Sequence, residues 1–284
     1  MIESIHPEPP QRVERLDVDN VAVVIPALNE ALRIREVVQG ALAHCARVIV
    51  VDDGSDDGTG ECIADLPVTL LRHTRRMGKG ACLRDGFREA ARQGAAGVLT
   101  MDGDGQHAAA DIPRLIEAGN RHPGDVIIGA RLRKRAAQPT YRRIGNDFGD
   151  WGIGWACGMR IVDSQSGQRL YPHAVFTLPD VPGEGFVFEA QMLISAARQA
   201  GARIVSVPIE SRYAPADAPA QFRKSHFRLV HDLRQIVSHV ASQIIARGDI
   251  FAEYHRTRAR PPRIDDPDGE FDSTLARPHT PGHA

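Results

Sequence analysis

Residues 101–107, Met-Asp-Gly-Asp-Gly-Gln-His, place two carboxylates one residue apart in a loop, with Gly103 between them and Gly105 after. The glycines permit backbone conformations that a Cβ would forbid, so Asp102 and Asp104 can converge on one point. Two unit charges about 4 Å apart repel by roughly 4 kcal/mol at an effective dielectric of about 20. Convergence therefore calls for a counter-charge, and a divalent cation is the simplest. Magnesium takes one or two carboxylates and completes its shell with water and substrate phosphates, so the loop reads as a place where a metal holds a diphosphate. Taken alone, the same four residues equally describe an Asp/Gly turn in water. An EF-hand is excluded, because positions six and twelve, where Gly and Glu are needed, carry His107 and Pro113.

The elements around this loop decide between those readings. Residues 98–101 form a short apolar run that reads as a strand. Residues 21–25 and 47–51 are continuous apolar runs of the kind found in strands buried on both faces. The first is followed by Asn29 as an N-cap and a helical stripe over 30–43. A strand at 68–71, helices at 81–93 and 112–120 and a strand at 125–128 continue the alternation, which predicts a mostly parallel α/β sheet flanked by helices. Ligands of such sheets bind beyond the carboxyl ends of the strands. Asn29 and Glu30, Asp52 and Asp53, Asp102 and Asp104, and Arg131 all follow apolar strands, so all are predicted to face one crevice.

Further along, 141–157 reads as a helix, 163–171 as a polar loop entering a strand, 184–199 as a helix and 203–207 as a strand. A long loop at 210–225 precedes a helix at 227–247, whose Val230, Leu233, Val237, Val240 and Ile244 suit either a core-facing stripe or a membrane-surface helix. Residues 1–18 read as a disordered leader, 19–247 as a single domain with a nucleotide-binding half to about 130, and 248–284 as a polar, flexible tail.

Composition narrows the function classes. A chain of 284 residues can bury a proper core without staples. Its net charge of −1, with 25% charged residues, gives no global signature of a nucleic-acid partner. Cys45, Cys62, Cys82 and Cys157 form no C-x-x-C and suit reduced thiols. There is no signal segment, and the longest apolar runs are about eight residues against the roughly 20 that a bilayer span needs. A cytoplasmic protein, peripheral at the inner face of a membrane, is the corresponding expectation.

Five stretches occur in order: VVIPALNE (23–30), VDDGSDDGT (51–59), GKGACLRDG (78–86), MDGDGQH (101–107) and VDSQSGQRLY (162–171). With them the chain resembles the family-two glycosyltransferases of GT-A (Rossmann-like) fold, and most closely the branch that glycosylates dolichyl or polyprenyl phosphate, with its bacterial lipid-glycosylating relatives. The resemblance implies a nucleotide-sugar pocket of Pro26, Asn29, Glu30, Asp52, Asp53, Lys79, Asp102 and Gly103. It implies Mg2+ or Mn2+ at Asp102, Asp104 and Gln106, and a catalytic set of Asp104, Asp163, Glu189 and Arg131. Arg131, Arg143, Arg223 and His226 would hold an acceptor phosphate. The implied reaction is inverting transfer from a UDP- or GDP-sugar to a phosphate or hydroxyl acceptor such as a lipid at a membrane surface. Asp163 or Glu189 would serve as general base only for a hydroxyl, since a phosphate monoester is already anionic at pH 7.

Each residue also has a plainer role. Asp52 and Asp53 could be turn or cap residues, Lys79 a solvated loop lysine, and Arg131 with its basic neighbours a solvated face. His107 and His226 fit either ligand contacts or ordinary polar positions. Two other functions share the sheet: a sugar nucleotidyltransferase, which would want a Gly-rich, Arg-containing loop after the first strand, and a nucleotide-sugar-binding protein without turnover. The chain carries Pro26-Ala27-Leu28-Asn29-Glu30 there instead.

Overall fold

A computed structural model of the chain describes residues 14–132, 140–209, 229–246, 248 and 250–269. Its centre is β1 (Val21–Ala27), flanked on one side by β2 (Arg47–Asp52) and β3 (Thr69–Arg72), and on the other by β4 (Gly97–Thr100). These four strands are parallel. β5 (Val126–Ala130), β6 (Arg169–Pro172), β7 (Ile204–Pro208) and β8 (Arg263–Ile264) complete an eight-stranded sheet in the order β3-β2-β1-β4-β6-β5-β7-β8.

β6 alone runs against its neighbours, opposing β4 through Thr100↔Arg169 and β5 through Ile128↔Arg169. An antiparallel strand begins where its parallel neighbours end, so the loop before β6 enters at the carboxyl edge that carries the Asp-x-Asp loop. The alternation along the sequence gives the strands but not this direction.

Both faces of the sheet are buried, as the continuous apolar runs predict. Along β1, Ala22 and Val24 join one core while Val21, Val23 and Ile25 join the other. α1 (Ile34–Leu42) and α3 (Ile112–Arg121) cover the second face. α2 (Lys79–Arg92), α4 (Thr140–Cys157), the short α5 (His173–Phe176), α6 (Gly185–Arg198) and α7 (Leu229–Ile245) pack over the first. α2 lies so close to β1 that a Cβ at Gly86 would stand 2.4 Å from Val24 Cγ1.

Three expectations need correction. α1 starts at Ile34, and Asn29 is no N-cap: it sits at φ +55°, and the N–H groups of Glu30 and Ala31 go to Thr59 Oγ1 and Asp57 Oδ2 of the loop after β2. In α7, Ile236, Val240 and Ile244 are the buried row, while Val237 faces outward. The segment after Gly248, expected as a flexible tail, includes α8 (Ile250–Arg258) and β8, which pairs with β7. Among the described residues no helix is long and apolar enough to cross a membrane. The four cysteines are free thiols.

The loop from β3 into α2 is fixed by charge. Asp53, just past β2, accepts the N–H groups of Met77 (2.7 Å) and Gly78 (2.8 Å). His73 bridges Asp53 (2.8 Å) and Asp85 of α2 (3.1 Å). Burial works against its imidazolium, but the two carboxylates outweigh that and raise its pKa.

Two outcomes follow from these contacts. Gly86→Ala should lose about 1–3 kcal/mol by overpacking against Val24, whereas Gly145→Ala, on an exposed turn of α4 with open space around it, should gain up to about 1 kcal/mol; urea midpoints measure both. A raised histidine stabilises fully below its unfolded value, and that contribution disappears as pH rises through the folded one. The stability advantage of wild type over His73→Gln should therefore shrink between pH 6 and pH 8, and an advantage independent of pH would contradict the ion pair.

Candidate active site

The loops after β1 and β2 are laced together. Asn29 donates its N–H to Ser55 Oγ (2.9 Å) and accepts the N–H of Asp56 (3.1 Å). Asp52 is fully buried; one oxygen accepts the Ser55 N–H (2.9 Å), and the other lies 3.3 Å from Arg72 Nε without a hydrogen bond. Arg72 also lines a hollow of about 410 Å³ with Gly54, Ser55, His73 and Thr74. Asp53, expected among the nucleotide contacts, instead has both oxygens engaged inside the protein, which is how Lys79 comes to open α2 beside the sheet edge.

Beyond β4 the Asp-x-Asp pair takes two different environments. Asp102 meets Lys79 Nζ at 2.6 Å and His107 Nε2 at 3.5 Å. Burial opposes its ionisation, yet Lys79 and His107 hold the carboxyl well below the usual range. The loop before β6 comes so near that a Cβ at Gly167 would fall 2.4 Å from Asp102 Oδ2. Asp104 accepts both the backbone N–H (3.0 Å) and the side-chain amide (2.7 Å) of Gln106. Burial and the Asp102 charge raise its pKa.

A third carboxylate joins them. Glu30 is pushed up to about 7 by burial and by Asp104, with Asp57 and Asp102 adding to the effect and Arg33 opposing it. Arg33 lies 3.7 Å from Glu30 and donates to the backbone oxygen of Asp104 (3.2 Å). The Asp102 charge raises Asp104 and the Asp104 charge raises Glu30, so an added cation at this edge would relieve both. Asp102 and Asp104, one residue apart on this loop with Gln106 beside them, offer hard oxygen atoms of the kind that Mg2+ or Mn2+ takes, and Glu30 lies near enough to feel the Asp104 charge. Among the described residues the trio whose ligand atoms all lie within 4.8 Å of one another is Asp53, His73 and Cys82, and its oxygen and nitrogen atoms are already hydrogen-bonded.

The residues expected on the acceptor side form a second set. Arg131, past β5, grips Asp163 through Nε (2.8 Å), Nη2 (2.6 Å) and its own N–H (2.7 Å). Burial opposes the Asp163 anion, but Arg131 prevails and lowers its pKa. A carboxylate so held is a poor proton acceptor, so the general-base role considered for Asp163 does not suit this geometry. Glu189 of α6 lies 3.0 Å from the far side of Lys79 Nζ, so one ammonium spans Asp102 and Glu189. Arg143 falls in α4 with its side chain outside the described atoms; Arg223 and His226 lie outside the described residues.

Sequence reasoning missed the residues that brace this set. Asp150 of α4 accepts the N–H groups of Asp163 (2.8 Å) and Ser164 (2.6 Å), and burial together with the Asp163 charge pushes it up to about 7. The fully buried Arg169 donates to the carbonyls of Ser164, Ser166 and Glu189 (2.7, 2.7 and 2.8 Å) and so ties the acceptor loop to α6. His107, left open from sequence, is buried beside Asp102, with Nε2 3.5 Å from its carboxylate, and its Nδ1 has no hydrogen-bond partner among the described residues. Only the final position of His107 in the Asp-x-Asp stretch pointed to it; a lone Asp in an aromatic helix gives no signal.

Comparison with known proteins identifies the family and the fold. Residues 22–176 match the profile of glycosyl transferase family 2. The chain is 32% identical over 203 residues to the undecaprenyl-phosphate mannosyltransferase of Micrococcus luteus, covering 66% of this chain and 82% of that one. It is 30% identical over 201 residues to the polyprenol monophosphomannose synthase of Mycolicibacterium smegmatis, covering 66% and 75%. Glucosyl-3-phosphoglycerate synthase of Mycobacterium tuberculosis shares the fold, a GT-A glycosyltransferase fold. Its UDP complex superposes with a TM-score of 0.60 at 19% identity, and its complex with Mn2+, UDP and glucosyl-3-phosphoglycerate with 0.55 at 20%, each covering 79% of both chains. The chain belongs to glycosyl transferase family 2, as a glycosyltransferase of the GT-A fold whose relatives include the polyprenyl-phosphate sugar transferases.

Proposed function

We propose that this enzyme transfers a sugar from a UDP- or GDP-sugar to the phosphate of a polyprenyl-type lipid, with Mg2+ or Mn2+ and with inversion at the anomeric carbon. The observation that carries it is the loop after β4, where Asp102 pairs with Lys79 at 2.6 Å while Asp104, one residue on, meets among the described residues only the amide groups of Gln106 and is raised by burial and the Asp102 charge. In this reading the donor base lies by the hollow next to Asp52 and Arg72, with Pro26 and Asn29 shaping its wall. The diphosphate lies against the Asp-x-Asp loop.

A bound divalent ion would supply the charge that stabilises the departing nucleoside diphosphate. The remaining work belongs to the chain. Lys79 adds fixed positive charge beside the leaving phosphates in a site largely closed to water, and its second partner, Glu189, keeps the ammonium oriented. Gly103 and Gly167 let backbone approach where side chains would fill the crevice. Arg131, positioned by Asp163, provides cationic charge on the acceptor side. The acceptor oxygen bonds to C1 as the bond from C1 to the diphosphate oxygen breaks, on opposite faces of the sugar.

Both candidate bases are ion-paired, Asp163 with Arg131 and Glu189 with Lys79. That favours a phosphate acceptor, which needs no proton removed, over a hydroxyl. The names of the relatives from Micrococcus luteus and Mycolicibacterium smegmatis support the same class. A lipid acceptor also favours a protein working at the inner membrane face from the cytoplasm.

Asp104→Asn should weaken calorimetric binding of the nucleoside diphosphate about tenfold or more in the presence of Mn2+. Its affinity should no longer depend on the metal, while the melting temperature stays close to that of wild type. Unchanged, metal-dependent affinity in this variant would remove Asp104 from the donor site.

A further inference from the structure

α4 carries different chemistry on its two sides. One side reaches the acceptor loop through Asp150. Another presents Phe148, Trp151 and Trp155 at helical spacing, the rings of Trp151 lying 5.6 Å from Phe148 and 5.4 Å from Trp155. α8 extends the row: Tyr254 packs 5.0 Å from Trp155 and 6.4 Å from Trp151. Trp155 Nε1 fastens α8 by donating to the Ile250 carbonyl (3.3 Å). Phe251, three residues before Tyr254 and so on the same side of α8, is 77% exposed; Phe148 is 51% exposed and Trp151 42%.

Positive charge borders the rings. The Arg258 guanidinium lies 5.7 Å over the Tyr254 ring and donates to its hydroxyl (3.1 Å). Arg160 is near enough to Arg258 to be affected by its charge, and Arg256 stands on the same helix paired with Glu253. An exposed Trp and a half-buried Tyr edged by arginine match the headgroup layer of a bilayer, where amphipathic rings settle between water and acyl chains. Arginine reaches lipid phosphates there by extending past its apolar stem, and anionic lipid adds electrostatic attraction.

We propose that the surface formed by Phe148, Trp151, Phe251 and Tyr254 docks on an anionic lipid bilayer, setting the loop that Asp150 holds at the level where a lipid phosphate is presented. Phe148 and Trp151 lie within the residues matched by the family profile, and Phe251 and Tyr254 beyond them, so the surface joins the matched region to α8. Resting on the lipid-phosphate reading above, it adds where and by which side chains the enzyme meets the membrane.

Trp151 and Trp155 are the only tryptophans in the sequence, so intrinsic tryptophan fluorescence reports on this surface alone. Phosphatidylcholine vesicles containing phosphatidylglycerol and brominated acyl chains should quench the full-length protein. Quenching should weaken in high salt, and partitioning should fall about tenfold for the double variant Phe148→Ser, Phe251→Ser. Absence of quenching would overturn the proposal. So would co-sedimentation with unquenched tryptophans, or a dimer abolished by the double variant in a protein that ignores vesicles. Nucleoside diphosphate binding, measured without vesicles, separates the two readings. Retained nucleotide affinity without quenching sinks the surface alone; quenching without sugar transfer to polyprenyl phosphate upholds the surface and removes the acceptor.

Discussion

One ammonium group joins the two halves of the site. Lys79 Nζ stands 2.6 Å from Asp102 and 3.0 Å from Glu189, linking the Asp-x-Asp loop after β4 to α6 on the acceptor side. Its place is set from behind by Asp53, which holds the N–H groups of Met77 and Gly78 just before α2 begins. Asp102 is lowered by this lysine, whereas Asp104 is raised by burial and by the Asp102 charge, and Glu30 by burial and the Asp104 charge against the opposing Arg33. The same loop thus offers one carboxylate matched by a fixed cation and another suited to an added one. This asymmetry sets the two aspartates apart electrostatically although they are one residue apart.

The sheet makes that junction possible. Four parallel strands deliver Glu30, Asp52 and Asp102 to one edge, as any doubly wound sheet would. The antiparallel β6 then brings the loop at 163–168 to the same edge, where Asp150 and Arg169 brace it and Gly167 closes on Asp102. Donor-side and acceptor-side residues meet because one strand in eight is reversed. His107 is buried beside Asp102, with Nε2 3.5 Å from its carboxylate.

Much of this was legible in the sequence. Buried parallel strands read as unbroken apolar runs, and the polar residues that follow them have only the carboxyl edge to occupy, so the positions of Asp52, Asp102 and Arg131 could be placed without coordinates. What was not legible depends on contacts between distant segments. Asn29 resembles an N-cap, but Thr59 and Asp57, almost thirty residues on, take the N–H groups that a cap would hold. Asp53 reads as a ligand contact, and its internal ties to Met77 and Gly78 could not be read from sequence because those partners follow β3. Strand direction leaves no trace in periodicity, so β6 could not be oriented. α8 and the two-residue β8 are too polar and too short to stand out from a flexible tail.

The central claim is that the carboxylates beyond β4 hold a divalent ion on the diphosphate of the donor. Anomalous diffraction at the manganese edge, from crystals grown with Mn2+ and UDP, tests it most directly. The account predicts a single strong peak within coordination distance of an Asp104 oxygen, shared with phosphate oxygens of the nucleotide. Nucleotide bound with no manganese at Asp104, or manganese bound elsewhere on the protein, would contradict it.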